Sequence, residues 1–374
     1  LLKELYPNLE LHNLSNSEDT KVLQEVLASK KETINIGHTG TAMRFLTAYY
    51  ANKKGKTVIL TGSNRMQKRP IKILVDALLD LGADIKYVKK EGYPPLKITG
   101  KNLLKDKVTI SGDVSSQYIT ALMLIAPSLK NGLEITLTNK ITSKPYINMT
   151  LQILNKLEIN SEWKENKICI YPKNEIKKKK ITIESDWSSA SYFYSFIALS
   201  EGSKISLKTF FKNSLQGDSA LSEIYTKFGV KTLFQNQATT IQKKPDFVLP
   251  KHLKFNFNDT PDLAQTVAVT CFGLGISCAI TGLHTLKIKE TDRLIALKNE
   301  LQKLGAKVRI TEDSIHIKPT KLKDDVIIKT YDDHRMAMAF APLALKTPIN
   351  IENHEVVAKS YPDFWQDITN LFQA

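Results

Sequence analysis

The segment YDDHRMAMAF, residues 331–340, sets Asp332, Asp333, His334 and Arg335 directly before an apolar run. A positive charge in the first turn of a helix opposes the macrodipole, so Arg335 needs an anionic partner. KIKETDRL brings Lys287, Lys289, Glu290 and Arg293 to the entry of an amphipathic stretch. One acid hemmed by three cations is a plausible proton carrier beside bound anions. RMQKRPI places Arg65, Lys68 and Arg69 before Pro70, and VAKSYPDF supplies Lys359. Guanidinium forks match phosphate or carboxylate in a bidentate way. Asp262 in NDTPDLAQT adds a carboxylate, and Ser115, Ser116 and Gln117 in GDVSSQ add neutral donors. Together these residues could bind a small polyanion and move protons on it. Each also has a bland counterpart. Serines and acids before apolar runs are ordinary helix caps, KETDR can be a helix start with local ion pairs, and His38 in GHTGTAMR reads as a turn residue rather than a ligand.

These residues recur at a fixed interval. GTAMR starts at Gly40, DVSSQ at Asp113, DWSSA at Asp186, DTPDL at Asp259 and DDHRM at Asp332, each 73 residues after the last. A fixed period of this kind marks repeated supersecondary units. Each start precedes an apolar segment of helical length, so the spacing predicts five helix N-termini, where free N–H groups and a partial positive charge form anion sites. Between them lies a second set of helices. IKILVDALLDLGADI puts Ile73, Leu74, Ala77, Leu78 and Leu81 on one face, and LIALKNELQKLGAKV does so with Leu294, Leu297, Leu301 and Leu304. They end at Gly82 and Gly305 before β-branched strands, and LSEIYTKFGVKT with Gly229 reads as a third copy. The unit is thus an α/β repeat with one buried and one amphipathic helix. Counting back one period from Gly40 puts a sixth unit's start before Leu1. Two sets of three units predict two similar domains, 1–180 and 181–374, divided near the lysine run 177–180, which reads as a solvated connector.

Composition narrows the classes. A chain of 374 residues with 42% apolar content exceeds the usual single core. Cys169, Cys271 and Cys278 form no C-x-x-C pair, which argues against a disulfide scaffold and a zinc site. No charged-then-apolar leader opens the sequence, and the three unpaired cysteines make a reducing cytoplasm the expected location. The uncharged stretch 263–283 is broken by Gly273 and Gly275, and reads as a buried helix then a buried strand rather than a membrane span. A net charge of +15 fits anionic partners, but no aromatic residues interleave with the lysines to stack bases. The sequence shows no zincin motif, no P-loop and no G-x-S-x-G elbow.

GHTGTAMR, RMQKRPI, GDVSSQYITALML, SKPYINMTL, SDWSSASYF, NDTPDLAQT, KETDRL, DDHRMAMAF and AKSYPDFW, in this order, resemble the 5-enolpyruvylshikimate-3-phosphate (EPSP) synthase family from Gly37 to the C-terminus. The resemblance implies two domains, each of three βαβαββ units, closing over substrates bound between them, with the first unit truncated here. It implies transfer of the enolpyruvyl group of phosphoenolpyruvate to the 5-hydroxyl of shikimate 3-phosphate by addition then elimination, without metal or organic cofactor, in a cytoplasmic, monomeric glyphosate target. Carried over by motif, Ser115, Ser116, Ser143 and Tyr146 would hold shikimate 3-phosphate, with Gln117 near both substrates. Asp262 would act as base at the attacking hydroxyl, and Glu290 and Lys289 would handle protons. Gly40, Thr41, Arg69, Arg293, Arg335, Lys359 and His334 would face phosphoenolpyruvate. Thr285 stands where many members have an asparagine ligand, and Phe45 replaces a common proline. The family's Lys-Ser-x-x-x-Arg motif would belong to the unit preceding Leu1, so the expectation for the chain as given is a loss on the order of a thousandfold in rate.

Three rivals remain at this stage. A UDP-N-acetylglucosamine enolpyruvyl transferase would carry a cysteine in the loop before its Arg-Pro, where RMQKRP has none. A basic nucleic-acid-binding protein would need stacking aromatics on basic strands. A folded remnant without activity is the third.

Overall fold

The computed structural model describes residues 1–113, 115–235 and 238–373. Val114, inside one of the repeated motifs, lies outside the described residues. The chain forms two compact units, Leu1–Ile183 and Glu184–Ala374, each around its own apolar cluster.

One pattern recurs in both. In residues 33–99, strand Thr33–Asn35 leads through helix Gly40–Ala51 to the parallel strand Thr57–Thr61. Helix Lys72–Asp80 and the antiparallel strands Asp84–Tyr87 and Leu96–Thr99 follow, with Leu96–Thr99 inserted next to Thr57–Thr61. Residues 107–170 and 252–318 repeat this four-stranded order. The remaining copies are partial among the described residues. Around helix Trp187–Leu199 the sheet has three strands, and Lys179–Thr182, which precedes that helix, pairs in parallel with Leu9–His12 instead. Around helix His334–Phe340 the sheet has two, Val326–Ile328 and Ile349–Ile351.

The lysine run is therefore strand rather than connector from Lys179 onward. Its alternation lets Lys178 and Lys180 meet Glu10 at 2.9 and 3.6 Å on a solvated edge, where such pairs contribute little stability.

The strand–helix–strand crossovers explain why polar motifs recur. In each, the helix starts just beyond the carboxyl end of its strand, the edge at which open α/β sheets bind ligands. Behind that first turn the helix is buried almost all round: 12 of 13 residues in Trp187–Leu199 and 9 of 10 in Ala264–Gly273. The uncharged stretch 263–283 is this second helix followed by strand Ser277–Thr281. Among the described residues no helix is long and apolar enough to cross a membrane.

The outer helices broadly follow the predicted faces, although in Lys72–Asp80 Val75 is buried and Ile73 only half-buried. Arg293–Lys303 buries Leu294, Leu297 and Leu301, and also Arg293, Ala296 and Glu300. The third copy is shorter than expected: one α-turn, Leu221–Ile224, passes into a 3₁₀ turn, Tyr225–Phe228. The tighter helix aligns positions i and i+3, which puts the rings of Tyr225 and Phe228 together in the core, 5.0 Å apart.

Neighbouring buried helices contact each other near the repeat distance. Ser191 Oγ meets Thr266 Oγ1 at 3.1 Å, and Ser195 Oγ meets Thr270 Oγ1 at 2.8 Å, each pair 75 residues apart. Tyr225 Oη also meets Thr270 Oγ1 at 2.8 Å. Replacing Thr270 with valine would leave buried hydroxyls without this partner. We expect a loss of about 1–3 kcal/mol in urea unfolding followed by Trp187 fluorescence; an unchanged midpoint would show that the hydroxyl chain is dispensable.

Candidate active site

In the first unit the helix start at Gly40 faces two buried guanidinium groups. A Cβ on Gly40 would stand 2.6 Å from Arg69 Nη1 and 3.2 Å from Arg44 Nη1, so a side chain there would have to push the Arg69 guanidinium aside. Of the RMQKRPI cations, Arg65 and Lys68 are exposed and Arg69 is buried. Arg44, which sequence reading passed over, donates to the carbonyls of Gly40 at 3.1 Å and Pro70 at 3.4 Å. Gln117 Nε2 donates to Thr41 Oγ1 at 3.0 Å, joining two of the repeated helix starts. Ser115 caps its helix by accepting from Gln117 N at 3.3 Å, so its cap role is real, and Ser116 opens the same helix. Ser143 takes a left-handed conformation, φ 53°, at the start of helix Lys144–Lys156, which carries Tyr146. That backbone is strained for a residue with a side chain, and such strain gathers at functional sites.

In the second unit, Asp262, Lys289, Glu290, Arg293, His334, Arg335 and Lys359, seven of the nine residues singled out by the sequence, converge. Asp262 lies in the 3₁₀ turn Pro261–Leu263 ahead of its buried helix. Its carboxylate accepts from Arg293 Nη1 at 3.0 Å and from Arg335 Nη2 at 3.2 Å, with Lys289 Nζ 3.4 Å away. Glu290 accepts from Arg293 Nη2 at 3.0 Å and pairs with Lys359. His334 opens helix His334–Phe340 beside Arg335. Lys287 turns away to the exposed Glu312. Thr285 is buried, and among the described residues no hydrogen-bond partner meets its hydroxyl. KETDR is both things the sequence allowed, since Asp292 caps helix Arg293–Lys303 while Glu290 and Arg293 enter the cluster.

Two contributors escaped sequence reading. Asp333, fully buried, caps the helix through Arg335 N at 2.9 Å and grips Arg293 in a fork, Nε to Oδ2 at 2.7 Å and Nη2 to Oδ1 at 3.2 Å. Tyr192 Oη lies 3.4 Å from Arg335 Nη1, and burial pushes its phenol up to about 12. Asp333 stood in the opening motif as a cap; its charge was the available signal.

The electrostatics sort these groups. Burial alone would raise the Asp262 carboxyl, but Arg335, Lys289 and Arg293 override it and hold it well below the usual carboxylate range. Burial lowers Lys289, against the pull of Asp262, which makes its proton easier to give up. Burial, aided by Lys359 and Arg335, holds His334 well below its ordinary value, so this imidazole is neutral near pH 7. In the unfolded chain it takes up a proton below about pH 6.5. The folded state binds fewer protons there, so stability present at pH 7 is lost as pH falls. The slope reaches about 1.4 kcal/mol per unit. Asp262 adds none of this slope, because its own contribution is lost only below about pH 4. We expect urea midpoints at pH 7 and pH 5 to draw together in His334→Asn; an unaltered difference would count against the assignment.

The cluster thus holds four cations and three carboxylates in a largely dry site. Such an arrangement can receive a small dianion and carry protons to and from it.

Comparison with known proteins fits this arrangement. Residues 1–368 match the family model for EPSP synthase (3-phosphoshikimate 1-carboxyvinyltransferase). A 3-phosphoshikimate 1-carboxyvinyltransferase of Bacteroides fragilis (strain YCH46) is 46% identical over 362 residues, covering 96% of this chain and 88% of its own length. One from Haemophilus influenzae (strain PittEE) is 39% identical, covering 90% and 78%. The solved EPSP synthase of Acinetobacter baumannii superposes with a TM-score of 0.75 at 21% identity over 96% of this chain and 89% of that one, which speaks to the fold. With the family model spanning nearly its whole length and close relatives along most of it, the chain belongs to the EPSP synthase family.

Proposed function

We propose that this protein transfers the enolpyruvyl group of phosphoenolpyruvate to the 5-hydroxyl of shikimate 3-phosphate and releases phosphate. The observation that carries the reading is the second unit's cluster, where Arg293 and Arg335 share Asp262. In that state each cation is held by a protein carboxylate. An incoming phosphate and carboxylate would compete for the guanidinium groups, and Asp262 would be released from them. Its basicity would then rise, because the charges that depress it are neutralised by substrate. The base would so form only when the substrate is seated.

In this reading Asp262 takes the proton of the attacking hydroxyl as its oxygen bonds to C2 of phosphoenolpyruvate. Lys289 or Glu290 delivers a proton to the methylene carbon, giving the tetrahedral intermediate. Elimination returns a proton from the methyl group to the protein as the C–O bond to phosphate breaks. Arg69, Gly40 and Thr41 of the first unit, and Arg293, Arg335, His334 and Lys359 of the second, are assigned to phosphoenolpyruvate. Ser115, Ser116, Ser143, Tyr146 and Gln117 of the first unit, with Thr285 of the second, are assigned to shikimate 3-phosphate. A cytoplasmic monomer acting on small molecules alone, without a cofactor, completes the proposal.

The test is phosphate release from phosphoenolpyruvate, measured with shikimate 3-phosphate, with UDP-N-acetylglucosamine and with neither. Release that needs shikimate 3-phosphate, and is lost in Asp262→Ala, is expected. Release with the nucleotide sugar instead would overturn the acceptor.

A further inference from the structure

The buried face of helix Arg293–Lys303 carries a second charge that the reaction leaves unused. Glu300 lies seven residues beyond Arg293, two turns along the same face, and is fully buried. Its Oε1 accepts from Tyr331 Oη at 2.6 Å. Its Oε2 accepts from the backbone N–H of Lys329 at 3.1 Å and from Lys303 Nζ at 2.6 Å. The Tyr331 hydroxyl also has Asn299 as a side-chain partner.

These bonds hold an unusual piece of backbone. Tyr331 and Asp332 have φ of 56° and 54°, two successive residues in the left-handed region that side chains disfavour. Asp333 follows, its N–H donated to Thr330 O at 2.9 Å. Strained backbone persists only where its surroundings over-determine it. Glu300 grips this turn both before it, at Lys329, and within it, at Tyr331. One helix therefore meets one segment at two points: Arg293 at Asp333, and Glu300 at Lys329 and Tyr331. Buried ionic groups are a weak source of stability compared with apolar packing, and their best-attested use is to specify one arrangement.

We propose that Glu300 and Tyr331 are positioning residues for enolpyruvyl transfer: by fixing the 330–332 turn they place Asp333, and through it the guanidinium of Arg293 and the helix start that carries Arg335. The inference rests on the reading that Arg293 and Arg335 hold phosphoenolpyruvate. Neither positioning residue touches substrate, so their effect passes through the arginines.

The experiment compares Tyr331→Phe, Glu300→Gln and Arg335→Lys in the full chain, with kcat, both KM values and the melting temperature as readouts. Tyr331→Phe removes one hydroxyl and keeps the ring. It is expected to raise KM for phosphoenolpyruvate about tenfold while KM for shikimate 3-phosphate stays within about twofold; Glu300→Gln is expected to raise the former about a hundredfold. Should Glu300→Gln fail to fold, Tyr331→Phe decides. A lower melting temperature with both KM values unchanged would make the pair merely structural and overturn the inference. A raised KM for phosphoenolpyruvate in Arg335→Lys but not in Tyr331→Phe overturns the inference alone. An unchanged value in Arg335→Lys removes the binding reading and the inference with it.

Discussion

Asp333→Ala is expected to destabilise the second unit by about 2–3 kcal/mol, because it leaves one side of the buried Arg293 guanidinium without an acceptor. Arg293 is 2% exposed and Asp333 is not exposed at all, so water cannot replace the lost carboxylate. The guanidinium would keep Asp262 and Glu290 through its outer nitrogens, but Nε would face no acceptor where Asp333 Oδ2 now lies 2.7 Å away. The helix cap at Arg335 N would go as well, adding about 1 kcal/mol. The measurement is urea unfolding read through Trp187, which is fully buried in this unit. Affinity for phosphoenolpyruvate should fall with stability, since both arginines lose their support. A folded variant with the parent's midpoint and KM would show that Asp333 is only a cap.

Glu290→Gln is the second large effect. The side chain keeps its size and loses its ability to carry a proton, which typically removes 10²–10⁴-fold of rate, so a fall in kcat of about that size is expected. Lys359 and Arg293 each lose a charged partner in this change, so KM for phosphoenolpyruvate shifts less predictably than kcat. KM for shikimate 3-phosphate should hold, because Glu290 pairs with Arg293 and Lys359, both assigned to phosphoenolpyruvate. The pH profile separates the roles: a proton carrier takes a limb of the profile with it, whereas an electrostatic support lowers the curve without changing its shape. A kcat within about twofold of the parent would remove Glu290 from the chemistry.

The repeat at 73 residues was legible because its components are local. Asp186, Ser115 and Asp333 accept bonds from N–H groups two or three residues on, and that chemistry is written in adjacent positions. The apolar runs behind them were equally plain, since a helix buried on all sides needs no pattern beyond its composition. Gly82 and Gly305, at φ 98° and 106°, end their helices where the sequence put the stops. Strand Lys179–Thr182 was not legible, because four residues of lysine, isoleucine and threonine become a strand only when Leu9–His12 offers its edge.

By itself, then, the sequence determined which residues begin helices, which helices are buried, and which charged groups stand at their starts. It also flagged that Arg335 needed an anion. Tertiary structure decided which anion. Asp262 meets Arg335 across 73 residues, Asp333 meets Arg293 across 40, and Glu290 meets Lys359 across 69. It decided as well that Glu300, written like any surface glutamate, would be buried against Tyr331. The physical reason is that caps and helical faces depend on neighbours along the chain, whereas an ion pair depends on distance and on exclusion of water. Both of those are set by how the crossovers bring one repeat's helix start against the next.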